Sequence, residues 1–158
     1  HDKGPQYTFV ARILEQVPVG DDIYVRVVSR EGLLLAGLEG SMRYRPNAPY
    51  MYSESEMRYQ VAQLLPLLLR NKLRYGRFLD ILVTHSPPYG IHDKPDIPHT
   101  GFKIMRNLLQ WVKPRYMLHG HIHIYRRDTP TMTQFEETTI INVYPYRLLD
   151  FDNPPQAG

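Results

Sequence analysis

The chain has 158 residues, 42% of them hydrophobic and 22% charged, a composition that excludes a disordered polymer and allows one domain with its own core. Its formal charge of +3 is mildly basic, and the absence of cysteine excludes disulfides and thiolate metal sites, so any metal must be held by nitrogen and oxygen ligands. No stretch approaches the roughly 20 apolar residues of a membrane span, so no membrane partner is expected.

In chain order, residues 22–28 (DIYVRVV) alternate in the strand manner, and Glu31-Gly32 leads into the buried-strand run LLLAGL at 33–38. The two read as a hairpin. Gly37 and Gly40 bracket Glu39 at its far end, where glycine permits close backbone approach. Residues 43–52 read as a loop, with Pro46, Asn47 and Pro49.

Ser53 and Glu56 stand in capping-box spacing and open a helix whose buried stripe is Met57, Val61, Leu64, Leu65 and Leu68. Pro66 is expected to kink or split it. Its end carries Arg70, Lys72, Arg74 and Arg77, a cluster that reads first as a solvated helix end and only second as a nucleic-acid patch. Residues 80–84 (DILVT) are a strand that must stop at Pro87-Pro88, and a loop with His92, Asp93 and Asp96 follows. A second helix after His99-Thr100 buries Phe102, Met105, Leu108, Leu109 and Val112. Residues 116–119 form the next strand, and 124–126, 139–143 and 147–151 read as further strands before a frayed tail at 153–158. The fold class is therefore α/β in one unit, with the domain running over 1–152.

A histidine thus stands at the end of each of two strands, His85 and His119, the second opening H-G-H-I-H at 119–123. In sheets that alternate with helices, ligands gather beyond the carboxyl ends of the strands, so His85 and the 119–123 group can face one crevice. Neutral imidazole is the commonest protein ligand for divalent transition metals, and Gly120 lets the backbone turn tightly beside two of them. A lone histidine such as His99 reads as a helix-start or surface residue.

LVTHSPP at 82–88 followed by LHGHIH at 118–123 resembles the last two blocks of the calcineurin-like metallophosphoesterases, and the opening His1-Asp2 matches the end of that family's G-N-H-[DE] block. GLEGSMRY at 37–44, GIHD at 90–93 and NVYPYR at 142–147 resemble the subgroup related to cytosolic phosphodiesterases. The resemblance implies a sandwich of two mixed sheets flanked by helices, of which this chain supplies the C-terminal larger part, and a cytoplasmic location. It also implies hydrolysis of a phosphoester, in the first place a phosphodiester, by a water activated between two divalent ions such as manganese, iron or zinc. His85 and His121 would ligate one ion and His123 the other. His1 would be the general acid, oriented by Asp2, while His92 and Asp93 are weaker candidates for substrate contact. His119 is assigned no ligand role, and Ile122 is expected to pack.

The family's early D-x-H, its G-D-x-x-D and the asparagine before His1 are not in the sequence, and no methionine opens it. The expectation is an N-terminally truncated chain that holds at most one metal, weakly, and hydrolyses little, from a parent enzyme that does both. The substrate would be a small phosphoester or nucleotide, with nucleic acid open as an alternative. The rival readings are a non-catalytic scaffold on the same fold and a simple metal-binding module.

Overall fold

The computed structural model describes residues 27–30, 32–125, 129–144, 147 and 149. Strand β1 (Val27–Arg30) turns at Gly32 into β2 (Leu33–Leu38), and the two pair antiparallel with Arg30 opposite Leu33, as the expected hairpin requires. Beside β2, and parallel to it in succession, lie β5 (Ile81–Thr84), β6 (Tyr116–His119) and β8 (Thr138–Asn142). Strand β7 (Met132–Phe135) closes the far edge antiparallel to β8, giving a mixed six-stranded sheet in the order β1-β2-β5-β6-β8-β7. Two short strands, β3 (Ser41–Met42) and β4 (Met51–Tyr52), form a separate parallel pair.

Parallel strands buried on both faces read as continuous apolar runs, and LLLAGL is one. Leu34, Ala36 and Leu38 face the main core, whereas Leu35 joins a second cluster with Ile81, Tyr116 and Ile141 on the opposite face. Helix α1 (Glu54–Tyr75) contributes Met57, Val61, Leu64 and Leu68 to the main core, and helix α2 (Lys103–Val112) contributes Met105, Leu108, Leu109 and Val112. The result is a mixed α/β fold, a mixed sheet flanked by helices.

Helix α1 begins where the capping box places it. Glu56 N–H donates to Ser53 Oγ (3.2 Å) and Ser53 N–H donates to Glu56 Oε2 (2.6 Å). The Ser53 N–H and then the Arg43 guanidinium hold the Glu56 carboxyl down at about 2. The helix ends at Gly76 in the left-handed conformation, whose N–H donates to the Lys72 carbonyl (3.0 Å).

Three expectations need correction. Pro66 does not split α1, which is helical throughout; Pro66 and Ala62 are both exposed, so the Ala62 carbonyl that lacks a donor faces water. Met51 and Tyr52, read as loop, form β4. Ile124 and Tyr125 form no strand, and the outer neighbour of β8 is β7; Arg126 lies outside the described residues, as do most of 147–151, the alternating stretch at 22–26 and the tail. Of the basic cluster, Lys72 donates to the Gly76 carbonyl, Arg74 lies over the Tyr75 ring, and Arg77 is bound to Asp80 and the Gly32 carbonyl.

The first residue of α1 also caps α2. Lys103 N–H and Ile104 N–H, two of the donors that a helix start leaves unpaired, donate to the two carboxylate oxygens of Glu54 at 3.0 and 2.8 Å. Phe102, at the N-cap position, has no side-chain acceptor to offer them. Replacing Glu54 by alanine is expected to lower stability by about 1–2 kcal/mol, read as a lower urea midpoint at unchanged slope, with Glu54→Gln, which keeps one of the two acceptor oxygens, recovering only part of the loss. Equal midpoints for wild type and alanine variant would show that the cap contributes nothing.

Candidate functional site

The four parallel strands deliver their C-terminal ends to one side. β2 ends into Glu39-Gly40, β5 into His85-Ser86, β6 into Gly120-His121 and β8 into Val143-Tyr144. Backbone bonding continues past the strands: His85 N–H donates to the Leu38 carbonyl (3.2 Å) and Gly120 N–H to the His85 carbonyl (3.2 Å). Ser86, fully buried, adds a hydroxyl donor to the Gly40 carbonyl at 2.9 Å, which ties the two neighbouring loops together.

This arrangement brings His85 and His121 together. His85 Nε2 lies 2.9 Å from His121 Nδ1. The Pro98 carbonyl, 2.7 Å from His121 Nε2, can only accept, so His121 carries its proton on Nε2 and presents a bare Nδ1 to His85. Burial, and then the neighbouring His121, push the His85 imidazole below its ordinary range, which favours the neutral, ligating form. His121 reaches this position with φ 61°, a left-handed conformation that a non-glycine residue adopts at a cost of about 1–3 kcal/mol when its surroundings impose it.

The surroundings do so. The carbonyl of His119 accepts from Val143 N–H (2.8 Å) and that of Ile122 accepts from the buried Asn142 amide (2.8 Å), so the end of β8 grips the turn on both sides of His121. Ile122 packs inward, as expected, at 3% exposure. His123 does not join the pair: its ring stacks on Tyr144 at 4.2 Å, and its Nδ1 bonds the Tyr125 hydroxyl at 3.0 Å. His99, which hydrogen-bonds Asp96, has its ring 5.2 Å from that of His121. His1 and Asp2 lie outside the described residues.

A second pair of imidazoles lies deeper. His119 is wholly buried, and its Nδ1–H donates to the Gly120 carbonyl (3.1 Å), so its Nε2 accepts from His92 Nδ1–H (2.9 Å). His92 Nε2 then accepts from the Thr133 hydroxyl (2.8 Å). The string Thr133, His92, His119, Gly120 runs in one donor direction from β7 to the histidine turn. His92, at φ 61°, thus has both ring nitrogens engaged inside the protein, and Asp93 accepts from Gly101 N–H (3.0 Å). Sequence spacing singled out His92 and His119 but not their pairing, nor Asn142 or Thr133; H-bonding residues in mixed company at strand ends are the only signal the sequence offers for those two.

The fit of the exposed pair to a metal ion rests on its donor set. Two imidazole nitrogens bound at about 2.0–2.1 Å to one ion stand roughly 3.0–3.4 Å apart, close to the 2.9 Å seen here. A ligating imidazole also needs its other N–H held by an acceptor, which Pro98 supplies to His121. His85 and His121 could therefore hold one divalent ion once His85 gives up its Nε2 proton and the two nitrogens turn from each other toward the metal. Among the described residues, no group of three or more histidine, aspartate or glutamate side chains is arranged to hold a metal.

Burial drives the His119 imidazole down to about 4, and it also lowers His92. Between about pH 6.5, where an unfolded histidine titrates, and pH 4, the unfolded chain binds a proton at His119 that the folded chain refuses. Stability from this group is thus complete above pH 6.5 and lost as pH falls toward 4, at up to about 1.4 kcal/mol per pH unit. Urea midpoints measured from pH 7.5 downward should decline below about pH 6.5, and His119→Gln should flatten the decline. A flat wild-type profile would mean that His119 takes up its proton without cost.

No protein-family model and no curated protein matches the chain. Among solved structures it is similar to the crystal structure of TT1561 of Thermus thermophilus, with a TM-score of 0.51 at 13% identity over 89% of this chain. The chain spans 58% of the length of that structure. At this identity the likeness is one of fold, a distant relationship in the arrangement of sheet and helices.

Proposed function

We propose that this chain forms part of a metal-dependent phosphoester hydrolase of the calcineurin-like metallophosphoesterase type, acting on a phosphodiester. The observation that carries the reading is the His85–His121 pair at the ends of adjacent parallel strands, with one tautomer fixed by a backbone carbonyl. The order of the motifs T-H-S-P-P and G-H-I-H agrees with it, while the likeness to TT1561 bears on the fold alone. The finer architecture of two sheets in a sandwich belongs to the same proposal.

In this reading His85 and His121 would hold one divalent ion, and His123, released from Tyr144, would hold a second. Divalent ions held there would supply Lewis-acid polarisation of a phosphoryl oxygen and a water of lowered pKa. His1 gives a proton to the leaving oxygen, and Asp2 fixes its tautomer. His92 and Asp93 act on the substrate only if their internal hydrogen bonds open; as they stand they hold the loop that carries Pro98 to His121. Manganese, iron and zinc all suit such a nitrogen and oxygen set.

Manganese binding to this chain, followed by electron paramagnetic resonance, should weaken by about tenfold or more in His85→Ala and in His121→Ala. In the whole protein the same substitutions should remove manganese-dependent hydrolysis of bis(p-nitrophenyl) phosphate. Metal binding that both substitutions leave unchanged would sink the reading. Binding lost without any hydrolysis to lose would leave only a metal-binding module.

A further inference from the structure

We infer that the cleft beside His85 is a specificity pocket for a planar ring bearing N–H or O–H donors, stacked on Tyr50 and bonded at its edge by Glu39. It deepens the phosphoesterase reading, on which it rests for the claim that the ring belongs to the substrate. The cavity itself is argued from its own geometry. It measures about 410 Å³ and lies between the ends of β2 and β5 and the loop from Arg43 to Tyr50. That size falls within the usual range of small-molecule sites.

Two of its polar groups lie side by side at one wall. Glu39 follows the last residue of β2, and His85 follows the last residue of β5, which pairs with it, so carboxylate and imidazole sit at neighbouring strand ends. Glu39 Oε1 accepts from the Tyr52 hydroxyl at 2.7 Å, while Oε2 has no hydrogen-bond partner among the described residues. An ionised carboxylate only accepts, so it draws N–H or O–H donors and repels a phosphate. A ring bearing donors is therefore taken at Glu39, which turns an anionic group away.

The remaining wall is Pro49, Tyr50 and Met51. The Tyr50 ring is 66% exposed although its backbone is tightly held. Tyr50 sits at φ 57°, its carbonyl accepts from Ser41 N–H (3.0 Å), and a side chain on Gly40 would come within 2.8 Å of that same carbonyl. Arg43 closes the loop base with bonds to the Met51 carbonyl (3.0 Å) and to Glu56 (2.8 Å). A large exposed ring on a firmly held backbone, beside a carboxylate whose second oxygen has no partner among the described residues, is a stacking platform with an edge acceptor.

Adenosine and 4-hydroxybenzyl alcohol, both uncharged, test the pocket apart from phosphate and metal. Calorimetric titration into the full chain should give saturable binding of at least one of them. Its affinity should fall about tenfold in Tyr50→Ala and in Glu39→Ala and persist in Tyr50→Phe, which keeps the ring. Preference for adenosine assigns a nucleobase, and the reverse preference an aryl alcohol. No saturable binding, binding equal in all variants, or ribose bound as well as adenosine would overturn the inference. Manganese affinity in Tyr50→Ala should equal that of wild type; ring binding by a chain that takes no manganese leaves this pocket standing and removes the phosphoesterase reading alone.

Discussion

The hydrogen bond from Gly120 N–H to the His85 carbonyl is the constraint on which the site depends. It extends the β5–β6 ladder one step past Thr84, before Pro87 and Pro88 end any regular strand, and so keeps His85 in register with the turn that carries His121. Because parallel pairing places Thr84 opposite His119, the next residues on each chain must emerge side by side. The approach of two imidazoles follows from backbone register more than from any attraction between the rings.

The two ends of the sheet are treated differently. At the N-terminal ends, Asp80 accepts from Leu34 N–H through its carboxylate, donates its own N–H to the Leu34 carbonyl, and offers its carbonyl to Tyr116 N–H, while Arg77 bridges Asp80 to Gly32. Three strands are thereby fastened by one residue, with backbone and side chain both satisfied. At the C-terminal ends the fastening is done by Ser86, Pro98 and the last residue of β8, Asn142, which leave imidazoles and one carboxylate facing outward. Rigidity comes from one end and chemistry from the other, the division that open α/β sheets make possible.

Much of this was legible in the residues, for reasons that differ by element. Helix α1 announces itself through a local reciprocal bond between residues three apart, and α2 through a stripe of five apolar side chains. The parallel strands are apolar runs too short for helices. Strand β7 escaped because Met-Thr-Gln-Phe mixes polar and apolar residues and its hairpin turns at Glu136-Glu137, with Glu136 at φ 49°, where glycine or asparagine would have marked the turn. Strands β3 and β4 are two residues each and depend on Arg43, whose partners lie 8 and 13 residues away. In the site, the closeness of His85 and His121 was readable from motif position, whereas the inward pairing of His92 with His119 was not, since it requires His92 to adopt a left-handed backbone. The bare Nδ1 of His121 was equally hidden, because it is fixed by a carbonyl 23 residues away.

The contact between Gly40 and Tyr52 has an evolutionary consequence. A Cβ on Gly40 would come within 2.3 Å of the Tyr52 ring, and that ring carries the hydroxyl that holds Glu39. No side chain can be gained at position 40 while the ring stays at position 52, and loss of the ring frees the carboxylate from its only bond to the fold among the described residues. The positions therefore constrain one another: filling position 40 demands a new residue at 52 and a shift of the Tyr50 carbonyl, 2.8 Å from the added carbon, so changes at this edge of the cleft come as jumps rather than by gradual substitution.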